Sequence, residues 1–368
     1  MTVVDLPPGE DIRDELAARV RAASASQTPL RIVGGDTKRG YGREVVAEGL
    51  AVHGHRGVLR YDPAELILTA RCGTRLAEVE ALLARHGQRL PFEPPSFGPA
   101  ATVGGMVAAG LAGPARAARG PVRDYVLGTT LLAGDGRILR FGGEVMKNVA
   151  GYDVSRLLAG SLGVLGVVLE VSLKVLPVPA GTSTLRRRID AAAAVALLAD
   201  MTQRGLPLSA SFWHAGELTV RLEGSDAALA AVAPAVGGEP LAPAAARDFW
   251  HDVREQRHPF FTAARSLWRL TLPATAAAQV VRDVPQSAFE WNGAQVWLAD
   301  AASSAVATLA RGQGGDATLF RRPVDGATTD VGEVFPPLPP ALLELHRAVR
   351  RVFDPAGILN PGRMYADL

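Results

Sequence analysis

The chain has 368 residues, 48% hydrophobic and 21% charged, with a formal net charge of +2. That is enough length for two domains with their own cores, and it shows no basic field of the kind nucleic-acid binders carry. The single cysteine, Cys72, excludes an internal disulfide framework and any zinc or iron–sulfur site built on several cysteines. It lies in an apolar stretch and reads as a core residue, compatible with a reducing cytoplasm. The N-terminus lacks a basic-then-apolar pattern, so no secretory signal is expected. The longest apolar run, 157–178, contains Glu170, Lys174 and three glycines, which suits a buried strand better than a membrane span.

Ile12, Leu16 and Val20 have helical spacing and predict a helix over 11–23. A strand over 30–33 empties into Gly34-Gly35-Asp36-Thr37-Lys38-Arg39-Gly40-Tyr41-Gly42, four glycines with two cations. Backbone N–H groups there, with Lys38 or Arg39, could enclose a pyrophosphate. The loop matches neither the G-x-G-x-x-G nor the G-x-x-x-x-G-K-[ST] pattern, which argues against a nicotinamide Rossmann fold or an NTPase. Strands over 57–61 and 66–72 lead to a helix with Thr74 as N-cap. A proline-rich segment, 91–99, delivers a second small-residue loop, 101–110. Asp135-Gly136 predicts a type I′ hairpin within 126–141. Next come a polar cluster (Lys147, Asn148, Tyr152, Asp153), a short helix carrying Val154, Leu157 and Leu158, and the loop Gly160-Ser161-Leu162-Gly163-Val164-Leu165-Gly166, which runs into an apolar strand over 167–175. Glycines let backbone approach a ligand closely. Three such loops together suit a long ligand with a pyrophosphate in its middle.

The motifs VGGDTKRGYG, FEPPSFGPAATVGGMVAAGLAGPAR, VRDYVLGTTLLAGDGRILRFGGEVMKNVAGYDVSRLLAGSLGVLG and the terminal FDPAGILNPGRMY resemble the vanillyl-alcohol-oxidase or PCMH-type FAD-binding family. More closely, they resemble glycolate oxidase subunits of the GlcE type. The resemblance implies an α+β fold: a PCMH-type FAD-binding domain of two α/β subdomains over 1–179, and a tail over 335–368 that returns to it. Residues 180–334 are alanine-rich and alternate helices with strands. They read as an antiparallel-sheet cap or substrate domain with helices on one face, whose halves hint at a repeat.

The resemblance also implies FAD, and no covalent flavin link is expected because no His or Cys falls within the three glycine segments. Its pyrophosphate would be contacted by Gly34, Gly35, Asp36, Thr37 and Lys38, and by Thr102, Gly104 and Gly105. Ser161, Gly163, Gly166 and Val167 would serve other parts of the cofactor. Lys147, Asn148 and Tyr152 fall in the densest motif, and Asn360 and Gly362 take a possible ring-side role. The implied activity is FAD-dependent oxidation of a 2-hydroxy acid, glycolate to glyoxylate, shared with a larger FAD subunit (GlcD-like) and an iron–sulfur subunit (GlcF-like). The expected location is cytoplasmic, with any membrane contact made through partners. A non-catalytic FAD-binding assembly subunit and a stand-alone flavin dehydrogenase for another hydroxy acid are the alternatives.

An H-x-G-D-G-N metal motif is absent, and no metal is expected; His53-x-His55 reads as an exposed loop. No general base is assigned. His214, His251, Arg254, Arg257, His258, Trp268 and Arg269 are cap-domain candidates for a substrate pocket, each more readily explained as structural.

Overall fold

A computed structural model describes residues 4, 6, 9–143, 153–323 and 333–368. The chain divides into two units. The first comprises Met1–Leu111, Pro121–Pro177 and Pro337–Leu368; the second comprises Ala112–Gly120 and Val178–Pro336. The nine-residue excursion 112–120 into the second unit has no marker in composition or periodicity.

In the first unit, β1 (Leu30–Val33) and β2 (Glu48–Ala51) form a parallel pair. β3 (Val58–Asp62), β4 (Ile67–Arg71), β5 (Gln88–Arg89), β6 (Val126–Leu132), β7 (Ile138–Gly142), β8 (Val167–Lys174) and β9 (Leu176–Pro177) follow. Five of them make an antiparallel sheet in the order β3-β4-β8-β6-β7, and β5 pairs with β9. β8 is central: it opens on Val167, Val168 and Leu169, all buried, and then alternates apolar Val171 and Leu173 with Glu170, Ser172 and Lys174. The helix Arg13–Ser26 buries Leu16, Ala17, Val20 and Ala23 on one stripe. That stripe packs with Leu30, Leu50, Val52, Leu132, Val167 and Leu169, and with Ile358 and Leu359 of the C-terminal tail. Each fully buried aliphatic side chain of this kind contributes about 1.5–3 kcal/mol.

The tail therefore belongs to this core. Leu30 N–H donates to Ile358 O at 2.8 Å and Asn360 N–H donates to Leu30 O at 2.9 Å, so residues 358–360 lie beside β1 like a further strand. Asp354 holds the bend before them. Its carboxylate accepts from Ile358 N–H at 3.1 Å and Leu359 N–H at 2.9 Å, with Arg350 at 3.4 Å.

Several local expectations are corrected. Arg75, not Thr74, is the N-cap of Leu76–Arg85; the Thr74 hydroxyl donates to Arg71 O and accepts from Gly57 N–H, tying the strand ends together. The β6–β7 turn is not type I′, because within it only Gly136 has positive φ (82°). With Gly136 N–H on Ala133 O and Ala133 N–H on Arg137 O, it is a three-residue loop with a left-handed glycine bulge. In the short helix Val154–Leu157, Ser155 is buried and Leu157 is exposed. His55 is 1% exposed, packed among Asp11, Arg13, Arg71 and Glu170, with its pKa lowered chiefly by burial. In the helix Pro340–Phe353 the apolar residues Leu342, Leu345 and Val352 are exposed, and only Phe353 is buried.

The second unit is built on β10 (Gly181–Arg188), β11 (Leu208–His214), β12 (Glu217–Gly224), β13 (Glu239–Pro240), β14 (Leu267–Thr271), β15 (Ser287–Glu290), β16 (Gln295–Ala299) and β17 (Asp316–Arg321). They form one antiparallel sheet, β13-β10-β12-β11-β15-β16-β14-β17. This order resolves the hint of a repeat. Two successive βαββαβ modules, each with order 4-1-3-2, join edge to edge through β11 and β15. Trp213 and Phe289 face each other at that seam and stack at 5.4 Å with 4° between rings. The helices Ala191–Gln203, Asp226–Val236, Ala277–Asp283 and Ser303–Gly312 bury their apolar stripes on one face. The opposite face carries buried polar and aromatic residues, among them Arg221, Glu290 and Trp297. Two helices inserted between the modules, Pro243–Arg254 and Pro259–Ala263, lie against it through Phe249, Trp250 and Phe261.

Candidate functional site

Where β1 ends at Val33, the chain turns into a cleft of the first unit lined by three backbone segments and the tail. Gly34, Gly35, Asp36, Thr37 and Lys38 form one wall. Thr102, Gly104 and Gly105, at the start of the helix Val103–Ala109, form a second. Gly163, Gly166 and Val167 form a third, and Asn360 closes it from the tail. Ser161 and Gly362 are not in the lining. Ser161 is buried behind it, its N–H on Leu158 O and its carbonyl accepting from Val164. Gly362 N–H is bonded to the Leu368 carbonyl. Lys147, Asn148 and Tyr152 lie outside the described residues.

The glycines have a reason beyond ligand approach, because neighbouring segments pack directly onto their Cα atoms. A Cβ on Gly35 would overlap the Ala100 carbonyl; one on Gly34 would stand 2.5 Å from Thr102 Oγ1, and one on Gly104 2.7 Å from Cys72 Cβ. Gly163 combines φ of 76° with a Cβ position 2.7 Å from Asn360 Nδ2. Three non-glycine residues of the lining are also left-handed: Asp36 (φ 55°), Leu162 (52°) and Asn360 (43°). Strain of this kind persists only where surrounding contacts over-determine the backbone, and it clusters at binding sites.

The three loops differ in where their backbone amides are bonded. In the second, Val103 N–H goes to Thr74 O, Gly104 N–H to Cys72 O and Gly105 N–H to Thr102 Oγ1. In the third, Gly160 N–H goes to Val107 O and Leu162 N–H to Ala108 O. Among the described residues, no group accepts from the amides of Gly35, Asp36, Thr37 or Gly163. The second loop therefore offers a smooth small-residue wall, and the first and third offer hydrogen-bond donors. A run of unpartnered amides in a concave loop suits an anion such as a phosphate.

Charges at the rim are arranged around the first loop. Arg31 pairs with Asp36 at 3.0 Å. Lys38 Nζ donates to Ser96 O at 3.2 Å and lies over the Phe97 ring. Arg363, which sequence reasoning did not single out, also lines the cleft and donates to carbonyls of the first loop. Its position three residues after Asn360 was the available signal. Leu162 was missed because nothing in a leucine's identity announces a left-handed backbone.

The substrate-pocket candidates of the second unit divide. Trp268 is in the helix-side core, its Nε1 donating to Ala301 O. His251 and Arg257 are exposed, and Arg254 pairs with buried Glu255 at 2.9 Å. The Arg269 guanidinium lies 5.5 Å from the Phe320 ring centroid. His214 and His258 sit edge to face at 6.0 Å within a phenylalanine cluster. Burial and the neighbouring His214 push His258 down to about 4. Glu290 was also missed. It is buried, accepts from Trp297 Nε1 at 2.6 Å and Gln295 Nε2 at 3.3 Å, and burial pushes it up to about 7. Among the described residues, no group of three or more His, Cys, Asp or Glu is placed to hold a metal ion.

Two family models match the chain: an FAD binding domain over residues 12–142, and the C-terminal domain of FAD linked oxidases over residues 338–364. They take in the first two glycine segments and the returning tail; the third loop and β8 lie outside both. A solved alkyldihydroxyacetonephosphate synthase superposes with a TM-score of 0.68 over 96% of this chain and 76% of its own, at 16% identity, a likeness of fold. The glycolate oxidase subunit GlcD of Bacillus subtilis is 35% identical over 37% of this chain and 29% of its own. The glycolate oxidase subunit GlcE of Escherichia coli is 44% identical over 97% of this chain and 99% of its own. With that identity held over 360 residues, the chain belongs to the GlcE family of glycolate oxidase subunits, built on a PCMH-type FAD-binding fold.

Proposed function

We propose that this chain is the FAD-binding subunit of a glycolate (2-hydroxy acid) oxidase complex, acting with a larger GlcD-like FAD subunit and a GlcF-like iron–sulfur subunit to convert glycolate to glyoxylate. The observation that carries the reading is the cleft. Three consecutive unpartnered amides, Gly35 to Thr37, stand beside a wall of small residues in a chain of this family. The residues fit the cofactor: Gly35, Asp36 and Thr37 would hold the pyrophosphate, and Gly104 and Gly105 would let the chain of the cofactor lie against backbone. Gly163 would donate from the facing loop. Bound FAD supplies the two-electron acceptor. The protein's own part is binding, orientation and exclusion of water, through peptide groups that need no reorganisation when the ligand arrives.

The second unit serves as the cap, and the complex works on the cytoplasmic face, held there by its partners. No helix among the described residues is long and apolar enough to cross a membrane.

The test is glycolate-dependent reduction of an artificial acceptor by the assembled complex, with parent chain or with Gly35→Ala. The variant complex should lose this chain's share of the FAD, and its activity with it. Full activity with this chain's cleft blocked would refute a role for its flavin in turnover.

A further inference from the structure

The tail does more at the cleft than present Asn360. Arg363 Nη1 donates to Arg43 O at 2.6 Å, and Nη2 donates to the carbonyls of Lys38 at 3.1 Å, Arg39 at 3.0 Å and Tyr41 at 2.5 Å. Arg43 N–H returns the contact to Arg363 O at 2.9 Å. Gly42 lies in the same knot with φ of 93°, and a Cβ there would stand 3.2 Å from both Arg363 Nε and Arg363 O. One guanidinium thus gathers four carbonyls of the loop whose preceding amides, Gly35 to Thr37, line the cleft.

Four carbonyl dipoles with their negative ends converging beside an anion site would repel a pyrophosphate. A cation placed among them reverses the sign of that local field and fixes the loop's curvature. Arginine suits the position because its planar, forked donors can serve several acceptors at once, whereas an ammonium is a point charge.

We propose that Arg363 is a positioning residue for the cofactor: by collecting the carbonyls of residues 38, 39, 41 and 43 it shapes the first loop into an anion cradle, making FAD retention depend on the docked tail. This rests on the FAD-binding reading above.

The experiment measures FAD dissociation constants from the quenching of flavin fluorescence, and urea midpoints of the apo chains, for parent, Arg363→Ala, Arg363→Lys and Arg347→Ala. Arg347 pairs with Glu344 and with Asp367 of the tail and does not line the cleft. Arg363→Ala should weaken FAD roughly tenfold or more, a loss of one to two hydrogen-bonded contacts. Arg363→Lys should fall between it and the parent, and Arg347→Ala should bind like the parent whatever its midpoint. Parent-like binding by Arg363→Ala overturns the proposal, as does an equal loss in Arg347→Ala. Should Arg363→Ala not fold, Arg363→Lys decides, and parent-like binding by it overturns the proposal. A parent chain that takes up no FAD sinks the functional reading; a parent that binds beside an Arg363→Ala that binds equally sinks this one alone.

Discussion

Asn360 Nδ2 donates to Leu162 O at 2.7 Å across 198 residues, while its Oδ1 accepts from Ile32 N–H at 2.8 Å. One 6%-exposed amide thereby spaces the end of β1 from the third loop, and its own backbone is left-handed at φ 43°. Removing it strands a half-buried donor, Ile32 N–H, and a buried acceptor, Leu162 O. Asn360→Gly, which tolerates the backbone, should lose roughly 2 kcal/mol of stability, and Asn360→Ala about 1 kcal/mol more. Urea unfolding of the apo chain reads both; equal midpoints for the two variants would remove the backbone part of this explanation.

Glycine substitutions should sort by what lies beside each Cα. Gly104→Ala pushes into Cys72, both its Cβ at 2.7 Å and its carbonyl at 3.0 Å, so a wall of the cleft must move and FAD affinity must fall. Gly40→Ala meets nothing within 4 Å and has no left-handed φ. It should be neutral or stabilising by about 0.4–1 kcal/mol, through the unfolded chain. Thermal midpoints and FAD titration of the pair check this, and similar behaviour of the two would defeat the packing account.

Glu290 predicts a pH dependence in the second unit. Its folded pKa is raised from 4.5 to about 7 by burial, so the protonated form is favoured in the fold. The stability this group contributes is full below the unfolded pKa and is lost as pH rises towards 7. Glu290→Gln keeps an acceptor for Trp297 Nε1 and cannot ionise. Its stability relative to the parent should rise between pH 4.5 and 7 and then level, by at most on the order of 3 kcal/mol. Calorimetric scans across that range test it, and a constant difference would mean that Glu290 ionises in the fold as freely as in the unfolded chain.

How much of this was legible in the sequence follows from what each residue type can announce. Glycine loops after apolar strands announce close backbone approach, and twelve of the seventeen anticipated site residues line one cleft. What glycine cannot announce is the neighbour that requires it. Gly35 and Gly104 read as ligand contacts, yet Ala100 and Cys72 demand them as well. Periodicity found a helix–strand alternation in the second unit, but the expected helices on one face are joined by Pro243–Arg254 and Pro259–Ala263 on the other. Sheet order depends on pairings far apart in sequence, so the two βαββαβ modules emerged only in three dimensions. The exposed stripe Leu342, Leu345 and Val352 has the same spacing as a buried one, and periodicity cannot distinguish them. Arg363 and Glu290 were passed over for a shared reason: what they do is set by partners hundreds of residues away or across a strand.

The amides of Gly35, Asp36, Thr37 and Gly163 are the ones left for a ligand to engage. Hydrogen exchange read by mass spectrometry, with and without FAD, tests this peptide by peptide. Protection should rise over residues 34–38 and around Gly163, while residues 103–105, already bonded to Thr74, Cys72 and Thr102, should be protected in both states. FAD-induced protection that bypasses 34–38, or appears first at 103–105, would contradict it.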